Sequence, residues 1–225
     1  MVRYLPNIPG WRDVPLKKIL EKKLKIAVRL DNDVNMITLG EWRFGAGKGS
    51  RNLVCLTLGT GVGGGLIINN SLYRGEGFAA GELGHMPVNE QGPVCGCGGW
   101  GCLESYVGNA RLMARAAKLM KKSPMALEEM FRLANQGNRR AVEFWHETAE
   151  HIGNGLVGLV NLLNPRKIII GGGVSNNHKF LFPMIRSIIQ RRAMDTQARM
   201  VKIVRAQLGS DAGLLGAWVL FHEDK

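Results

Sequence analysis

The sequence has few cysteines and lacks the long apolar runs that are typical of membrane and secreted proteins. It has only four cysteines in 225 residues, and no run of about 18 apolar residues, the minimum for a membrane-spanning helix, occurs. The segment 1–10 contains no signal-peptide core. Three of the cysteines are spaced as metal ligands, which does not suit a disulfide framework. We therefore expect a cytoplasmic protein with no membrane span.

Acidic residues are also scarce. The chain has 18 Asp and Glu against 30 Lys and Arg, a net charge of +12. Such an excess can indicate nucleic-acid binding. The basic residues are scattered, however, and we find no helix-turn-helix or arginine-rich arm. We expect solvated surfaces and attraction for anionic small ligands, with a nucleic-acid partner as the lesser alternative.

Glycine, by contrast, is abundant. Thirty of the 225 residues are glycine, nearly twice the average share of roughly 7%. The glycines concentrate in the segments 59–65, 75–84 and 171–173. Because glycine lets a ligand approach the backbone closely, these segments are candidates for binding loops.

The hydrophobic pattern predicts alternating strands and helices, and therefore an α/β sheet. Strands are predicted at 25–30, 53–58, 62–68, 167–170 and 201–206. Helices are predicted at about 16–24, 34–44, 106–121, 124–135, 139–163, 178–192 and 209–221. Cys55 falls within a predicted buried strand, where we expect an unreactive thiol.

Four potential metal ligands lie close together in the sequence. They are His85, Cys95, Cys97 and Cys102. Three thiolates and one imidazole form a typical closed Cys₃His zinc site. Because Glu82 and Glu104 flank this set, we expect the metal to hold together a polar site.

The glycine segments each allow two interpretations. The segment 59–65 joins two predicted strands as a hairpin, which argues against a dinucleotide-binding turn because that turn leads into a helix. It would bind phosphate through successive N–H groups, or it is simply a tight hairpin. The segment 171–173 would contact phosphate or a nucleoside at a helix N-terminus, or it permits close packing of helix and strand.

Two aspartates follow the predicted strand 25–30. Asp31 and Asp33 lie at its carboxyl end, where open α/β sheets place their chemistry. Either side chain would serve as the N-cap of the next helix. Alternatively, one of them is a general base that accepts a proton from a hydroxyl group.

Taken together, these segments resemble the ROK family of sugar kinases and sugar-responsive repressors, especially bacterial glucokinases. The resemblance is carried by Leu30-Asp31-Asn32-Asp33-Val34-Asn35, by Leu58-Gly59-Thr60-Gly61-Val62-Gly63-Gly64-Gly65, by Gly81-Glu82-Leu83-Gly84-His85-Met86, by the run from Cys95 to Glu104, and by Ile170-Gly171-Gly172-Gly173-Val174. These segments follow the family's order and span nearly the whole chain.

The resemblance implies an actin-like ATPase (ribonuclease H-like) fold, in which sugar and ATP meet between two α/β domains. Residues 1–48 would be a remnant of the small N-terminal domain. Residues 49–225 would form the large C-terminal domain, with a zinc-binding insertion at 85–104. Members of the family are often dimers or tetramers, so a homo-oligomer is expected.

The resemblance also implies an activity, the ATP-dependent phosphorylation of a hexose, most closely glucose to glucose 6-phosphate. Asp33 matches the general base. The sugar contacts would come from Asn32, Asp33, Glu82, His85 and Glu104. ATP, with Mg²⁺, would lie against Gly59, Thr60, Gly61, Gly63, Gly64, Gly171, Gly172 and Gly173. Structural Zn²⁺ would be held by His85, Cys95, Cys97 and Cys102.

One family motif is absent from the sequence. Members normally begin with a hairpin carrying Asp-x-Gly-x-Thr, which binds phosphate and helps to hold Mg²⁺, so this chain resembles the back two-thirds of a member. We expect reduced activity from the chain alone, because phosphoryl transfer depends on positioning and charge neutralisation around the metal. The alternative is a non-catalytic sugar- and zinc-binding module or regulator. The DNA-binding domain of the family's repressors is not seen here, which counts against a repressor.

Overall fold

The computed structural model describes residues 2–4 and 8–222, and the side chains of 8–222. Within that part of the chain, a short antiparallel pair is formed by β1 (Val2–Tyr4) and β2 (Arg12–Val14). The main sheet contains β3 (Leu53–Leu58), β4 (Val62–Ile68), β5 (Ser71–Leu72), β6 (Lys167–Gly171) and β7 (Lys202–Arg205). Its order is β5-β4-β3-β6-β7. Strands β6 and β7 run parallel to β3, whereas β4 is antiparallel to it.

Helices cover both faces of this sheet. They are α1 (Leu16–Leu24), α2 (Asp33–Arg43), α3 (Glu104–Val107), α4 (Asn109–Met120), α5 (Leu127–Asn135), α6 (Arg139–Leu163), α7 (His178–Arg192), α8 (Asp195–Met200) and α9 (Ala212–His222). The predicted α/β class is confirmed. No helix among the described residues has the length and apolar character needed to cross a bilayer.

The side chains of the central strands alternate between two cores, as the two-residue period of a strand requires. In β3, Val54 and Leu56 face a large cluster formed with α4–α7, while Leu53 and Cys55 face a smaller one formed with α2 and α9. Burial raises the pKa of the Cys55 thiol to about 12. The prediction of a buried, unreactive thiol is therefore consistent with the structure.

Most of the predicted elements are present. The hairpin 53–68 forms with Leu58 opposite Val62, and α7 has the predicted bounds. The predicted helix 106–121 is interrupted at Gly108, so that α4 begins at Asn109, and α5 begins at Leu127, three residues after Pro124. The short polar helix α8 was not predicted.

The predicted strand at 25–30 is wrong. These residues have no strand assignment and most are exposed. Among the described residues no strand lies beside them, and a strand forms only where a neighbour pairs with its N–H and C=O groups. Instead, the Arg29 guanidinium donates to the carbonyl of Leu220 at the end of α9.

The division of the chain into residues 1–48 and 49–225 stays a prediction, and both chain ends lie outside the described residues. Helix α2 packs across α9 and contributes Leu39 to the smaller core. The two helices cross very closely, because a Cβ on Gly216 would lie 1.7 Å from the carbonyl oxygen of Met36. Helix α2 is thus fixed to the main sheet and to α9.

Candidate active site

The four predicted metal ligands converge in the structure. The donor atoms of His85, Cys95, Cys97 and Cys102 all lie within 4.8 Å of one another. Cys97 Sγ is 3.7 Å from Cys102 Sγ, and Cys95 Sγ is 3.6 Å from His85 Nδ1. Four donors about 2.0–2.3 Å from one tetrahedral zinc are spaced by roughly this distance. The donor set and its spacing therefore fit a structural metal ion.

The local fold brings these ligands together. His85 ends a single 3₁₀ turn, Leu83–His85. Cys95 begins a tight turn in which its N–H donates to Gly99 and its carbonyl accepts from Gly98, whose φ of 90° suits glycine. An isolated bridge between Pro87 and Cys102 closes the loop. These backbone contacts thus bring the four donors together.

The thiols of this cluster ionise differently. Burial opposes ionisation of Cys95, but the backbone N–H of Cys97 and side chains that include His85 outweigh it and lower the pKa of Cys95 to about 6. Burial, together with the neighbouring thiols, raises the pKa of Cys102 to about 12. Crowded thiols of this kind favour a dication, which deprotonates the sulfur atoms that coordinate it.

The start of α2 shows which residue caps the helix. Asn32 Oδ1 accepts from the N–H groups of Val34 and Asn35, at 2.8 and 3.3 Å. The N-cap is therefore Asn32, and neither aspartate fills that position. Asp33 is the first helical residue; its carboxylate is exposed, and its Oδ1 accepts from Val34 N–H at 2.9 Å. This geometry leaves Asp33 accessible to a ligand.

Glu104 connects the metal loop to the glycine hairpin. It begins α3, two residues after Cys102, and its Oε2 accepts from the N–H of Val62 at 2.8 Å. A Cβ on Gly61 would lie 2.6 Å from that same oxygen. The hairpin turn and the metal loop are therefore in direct contact.

Consecutive residues at the start of β4 contact the three segments that carry the predicted sugar contacts. Val62 binds Glu104. A Cβ on Gly63 would lie 2.5 Å from Val34 Cγ2, and one on Gly64 would lie 2.1 Å from Leu83 Cγ. Asp33 and Glu82 are the chain neighbours of Val34 and Leu83. The structure thus brings the segments that carry Asp33, Glu82 and Glu104 to the beginning of one strand.

Five of the glycines predicted to contact ATP fall into two groups. Gly63, Gly64 and Gly172 lack room for a side chain, and a Cβ on Gly172 would lie 2.1 Å from the carbonyl oxygen of Leu58. Close packing alone accounts for these three. A Cβ on Gly59 or Gly173 would meet no atom within 4 Å. At these two positions the backbone borders open space, as a phosphate or nucleoside contact requires.

A cleft of about 400 Å³ opens beside Asp33, between the starts of α2 and α9. Its lining residues are Asp33, Met36, Ile37, Gly209, Ser210 and Gly213. No sequence pattern connects the segment 209–213 with Asp33, and this part of the site was not predicted. Its two glycines at the beginning of a predicted helix were the available signal.

Comparisons with known proteins identify the family of this chain. The model of the ROK family matches residues 1–224, and the chain belongs to that family. The glucokinase of Streptomyces coelicolor is 38% identical over 99% of this chain and 75% of its own length. A ROK family glucokinase from Streptomyces griseus, solved with glucose and AMPPNP, superposes with a TM-score of 0.81 at 38% identity, over 96% of this chain and 75% of that one. The xylose repressor of Caldicellulosiruptor bescii is 33% identical over 97% of this chain and 58% of its own length.

These matches confirm the family resemblance and the actin-like ATPase fold predicted from it. They also show that about a quarter of the length of the two glucokinases has no counterpart in this chain. The roles of the individual site residues stay predictions.

Proposed function

We propose that this protein phosphorylates a hexose with ATP, most closely glucose to glucose 6-phosphate. The observation that carries this proposal is the gathering of the segments with Asp33, Glu82 and Glu104 around the first residues of β4. The glucokinases at 38% identity support the same reaction.

The side chains suit the steps of such a reaction. Asp33 would accept the proton of the sugar hydroxyl as its oxygen attacks the γ-phosphorus. Asn32, Glu82, His85 and Glu104 would hold the other hydroxyls, since carboxylate, amide and imidazole groups accept or donate hydrogen bonds there. Mg²⁺ bound with ATP would neutralise the charge on the phosphate oxygens.

The nucleotide would lie against the glycine segments. Thr60 is exposed at the tip of the hairpin, next to Gly59 and Gly61. Its hydroxyl and the turn's backbone would face phosphate oxygens, with Gly63 and Gly64 holding the strand behind them in place. Gly173 borders open space after β6, so the segment from Gly171 and Gly172 onwards would contact adenosine.

Zinc would serve a structural purpose. Bound by His85, Cys95, Cys97 and Cys102, it would hold the loop so that His85 and Glu104 face the sugar. Metal analysis of the purified chain should find about one zinc per chain, and Cys97→Ser should lose it. A folded chain that contains no zinc after preparation in zinc-supplemented buffer would contradict this part of the proposal.

The catalytic proposal is tested by coupled measurement of ADP production with glucose, using the chain and Asp33→Asn. Loss of the base should lower kcat by about 10²- to 10⁴-fold, while calorimetry still detects glucose binding. Asp195→Asn, which changes an exposed carboxylate on α8, is the matched control and should keep kcat. An unchanged kcat in Asp33→Asn would contradict the assignment of the base.

A second candidate is a sugar- and zinc-binding regulator without turnover, favoured by the similarity to a xylose repressor. It predicts hexose binding with no ADP release at any concentration of ATP. We also propose that the protein is a homo-oligomer, which light scattering would test through the molar mass. We propose a cytoplasmic location, which cell fractionation would test.

A further inference from the structure

One ion pair joins two parts of the site that are far apart in the chain. Asp31 Oδ2 lies 2.7 Å from Arg74 Nε, and the two side chains are 8% and 25% exposed. Asp31 Oδ1 accepts from the backbone N–H of Asn32 at 2.8 Å and from Asn35 Nδ2 at 2.6 Å. Both carboxylate oxygens therefore accept hydrogen bonds from the protein, so Asp31 is poorly suited to bind a ligand.

The two ends of this pair carry different halves of the predicted sugar site. Asp31 directly precedes Asn32 and Asp33 at the start of α2. Arg74 follows β5 and closes the next loop, since its carbonyl accepts from Ala80 N–H at 3.0 Å. That loop leads to Glu82.

Both halves also pack against β4. The start of α2 meets β4 at Gly63, and the segment 81–83 meets it at Gly64. Because successive residues of a strand point to opposite faces, these two segments lie on opposite sides of β4. The ion pair between Asp31 and Arg74 adds a side-chain link between the start of α2 and the loop 74–80 that leads to Glu82.

We propose that Asp31 and Arg74 are positioning residues that fix the segment of Asn32 and Asp33 relative to the segment of Glu82 and His85. A hexose that contacts both segments would then meet a pocket already ordered, which lowers the entropic cost of binding. The planar guanidinium suits this task, because it donates in a fixed geometry that an ammonium group lacks. The inference rests on the proposed function of the site and adds two residues that do not touch the sugar.

The experiment compares Arg74→Gln, Asp31→Asn, the double variant and Arg74→Lys with the unchanged chain. The Kd for glucose is measured by calorimetry well below the melting temperature of every variant. Each single variant should weaken binding by about 10- to 100-fold, and the double variant should weaken it little further, because both changes remove one interaction. Arg74→Lys should recover only part of the affinity.

Arg199→Gln is the matched control. It removes an arginine whose Nε lies 2.8 Å from Asp195 in an exposed pair on α8, so the Kd should stay within about two-fold. A general loss of stability would lower the melting temperature of Arg74→Gln without changing its Kd for glucose. An unchanged Kd in Arg74→Gln would therefore overturn the inference.

Amide hydrogen exchange without sugar separates this inference from the proposed function. In Arg74→Gln, exchange should accelerate at the N–H of Ala80, on the Arg74 side of the ion pair. It should also accelerate at the N–H of Val34, which donates to Asn32 Oδ1 on the Asp31 side. If the unchanged chain binds no hexose, the proposed function fails, and the exchange result alone decides the positioning role. Unaltered exchange at Val34 would then overturn it, whereas acceleration there and not in Arg199→Gln would support it.

Discussion

The two faces of the main sheet are stabilised differently. On one face, α4–α7 build a large apolar core with Phe144 and Trp145 fully enclosed. On the other face, α2 and α9 enclose a much smaller core and rely on close backbone contact at Gly216 and on the buried carboxylate of Glu41. The predicted catalytic residue belongs to this second face, where small changes in helix position would alter the cleft. The first face thus provides most of the apolar burial, and the second determines the geometry at Asp33.

Truncating the large core should have the greatest effect on stability. Trp145 is fully buried and stacks on Phe131, with ring centroids 3.6 Å apart. Trp145→Ala should lower the free energy of unfolding by about 3–5 kcal/mol, measured by urea denaturation. Trp218→Ala, on the half-exposed surface of α9, should cost far less. Equal losses for the two would contradict the division between the faces.

On the second face, the buried carboxylate of Glu41 should contribute to stability through the hydrogen bonds that it accepts. Glu41 is 0% exposed and accepts from the N–H groups of Ala46, Gln207 and Leu208 at 2.7–2.9 Å. It therefore holds the segment that leads to Ser210 in the cleft. Glu41→Gln replaces one acceptor oxygen with a donor, and should cost about 1–3 kcal/mol of unfolding free energy. Glu143→Gln, on the exposed surface of α6, is the control and should change it by less than about 0.5 kcal/mol.

The helix crossing offers a contrast between two glycines. Gly216→Ala would drive a methyl group into the Met36 carbonyl and should cost about 1–3 kcal/mol, because the helices must separate. Gly158→Ala, on α6, meets open space and should stabilise the protein by about 0.5–1 kcal/mol. Denaturation of both variants checks the sign of each effect. A stabilised Gly216→Ala would show that α2 and α9 are less tightly apposed than the contact of Gly216 with Met36 indicates.

Local patterns account for what the sequence could predict. The strands β3, β4 and β6 and the helix α7 follow from hydrophobic periodicity, and the metal ligands follow from spacing. The prediction of a strand at 25–30 was wrong because a strand needs a neighbouring strand to pair with, and the local sequence pattern does not show whether one is present. Asp31 and Asp33 were the only predicted N-caps, and Asn32 was missed; Asp and Asn both cap helices, so residue type alone does not choose among the three positions. The ion pair between Asp31 and Arg74 spans 43 residues, so no local sequence pattern could predict it.

The smallest effect expected is a pH dependence on the first face. His151 stacks on Tyr106 with ring centroids 4.0 Å apart, and burial, aided by the charge of Arg115, lowers the pKa of His151 below its ordinary 6.5. The unfolded chain therefore binds the proton more readily, so this histidine's contribution to stability is fully present above pH 6.5 and is lost as the pH falls below it. Glu147 and Glu150 oppose the shift, and the site is only about half buried, so the change should be slight. His151→Gln should flatten the dependence of unfolding free energy on pH between about 5 and 7. His146→Gln, at an exposed position of the same helix, should leave this dependence unchanged. An identical slope in both variants would show that His151 is not the cause of the pH dependence.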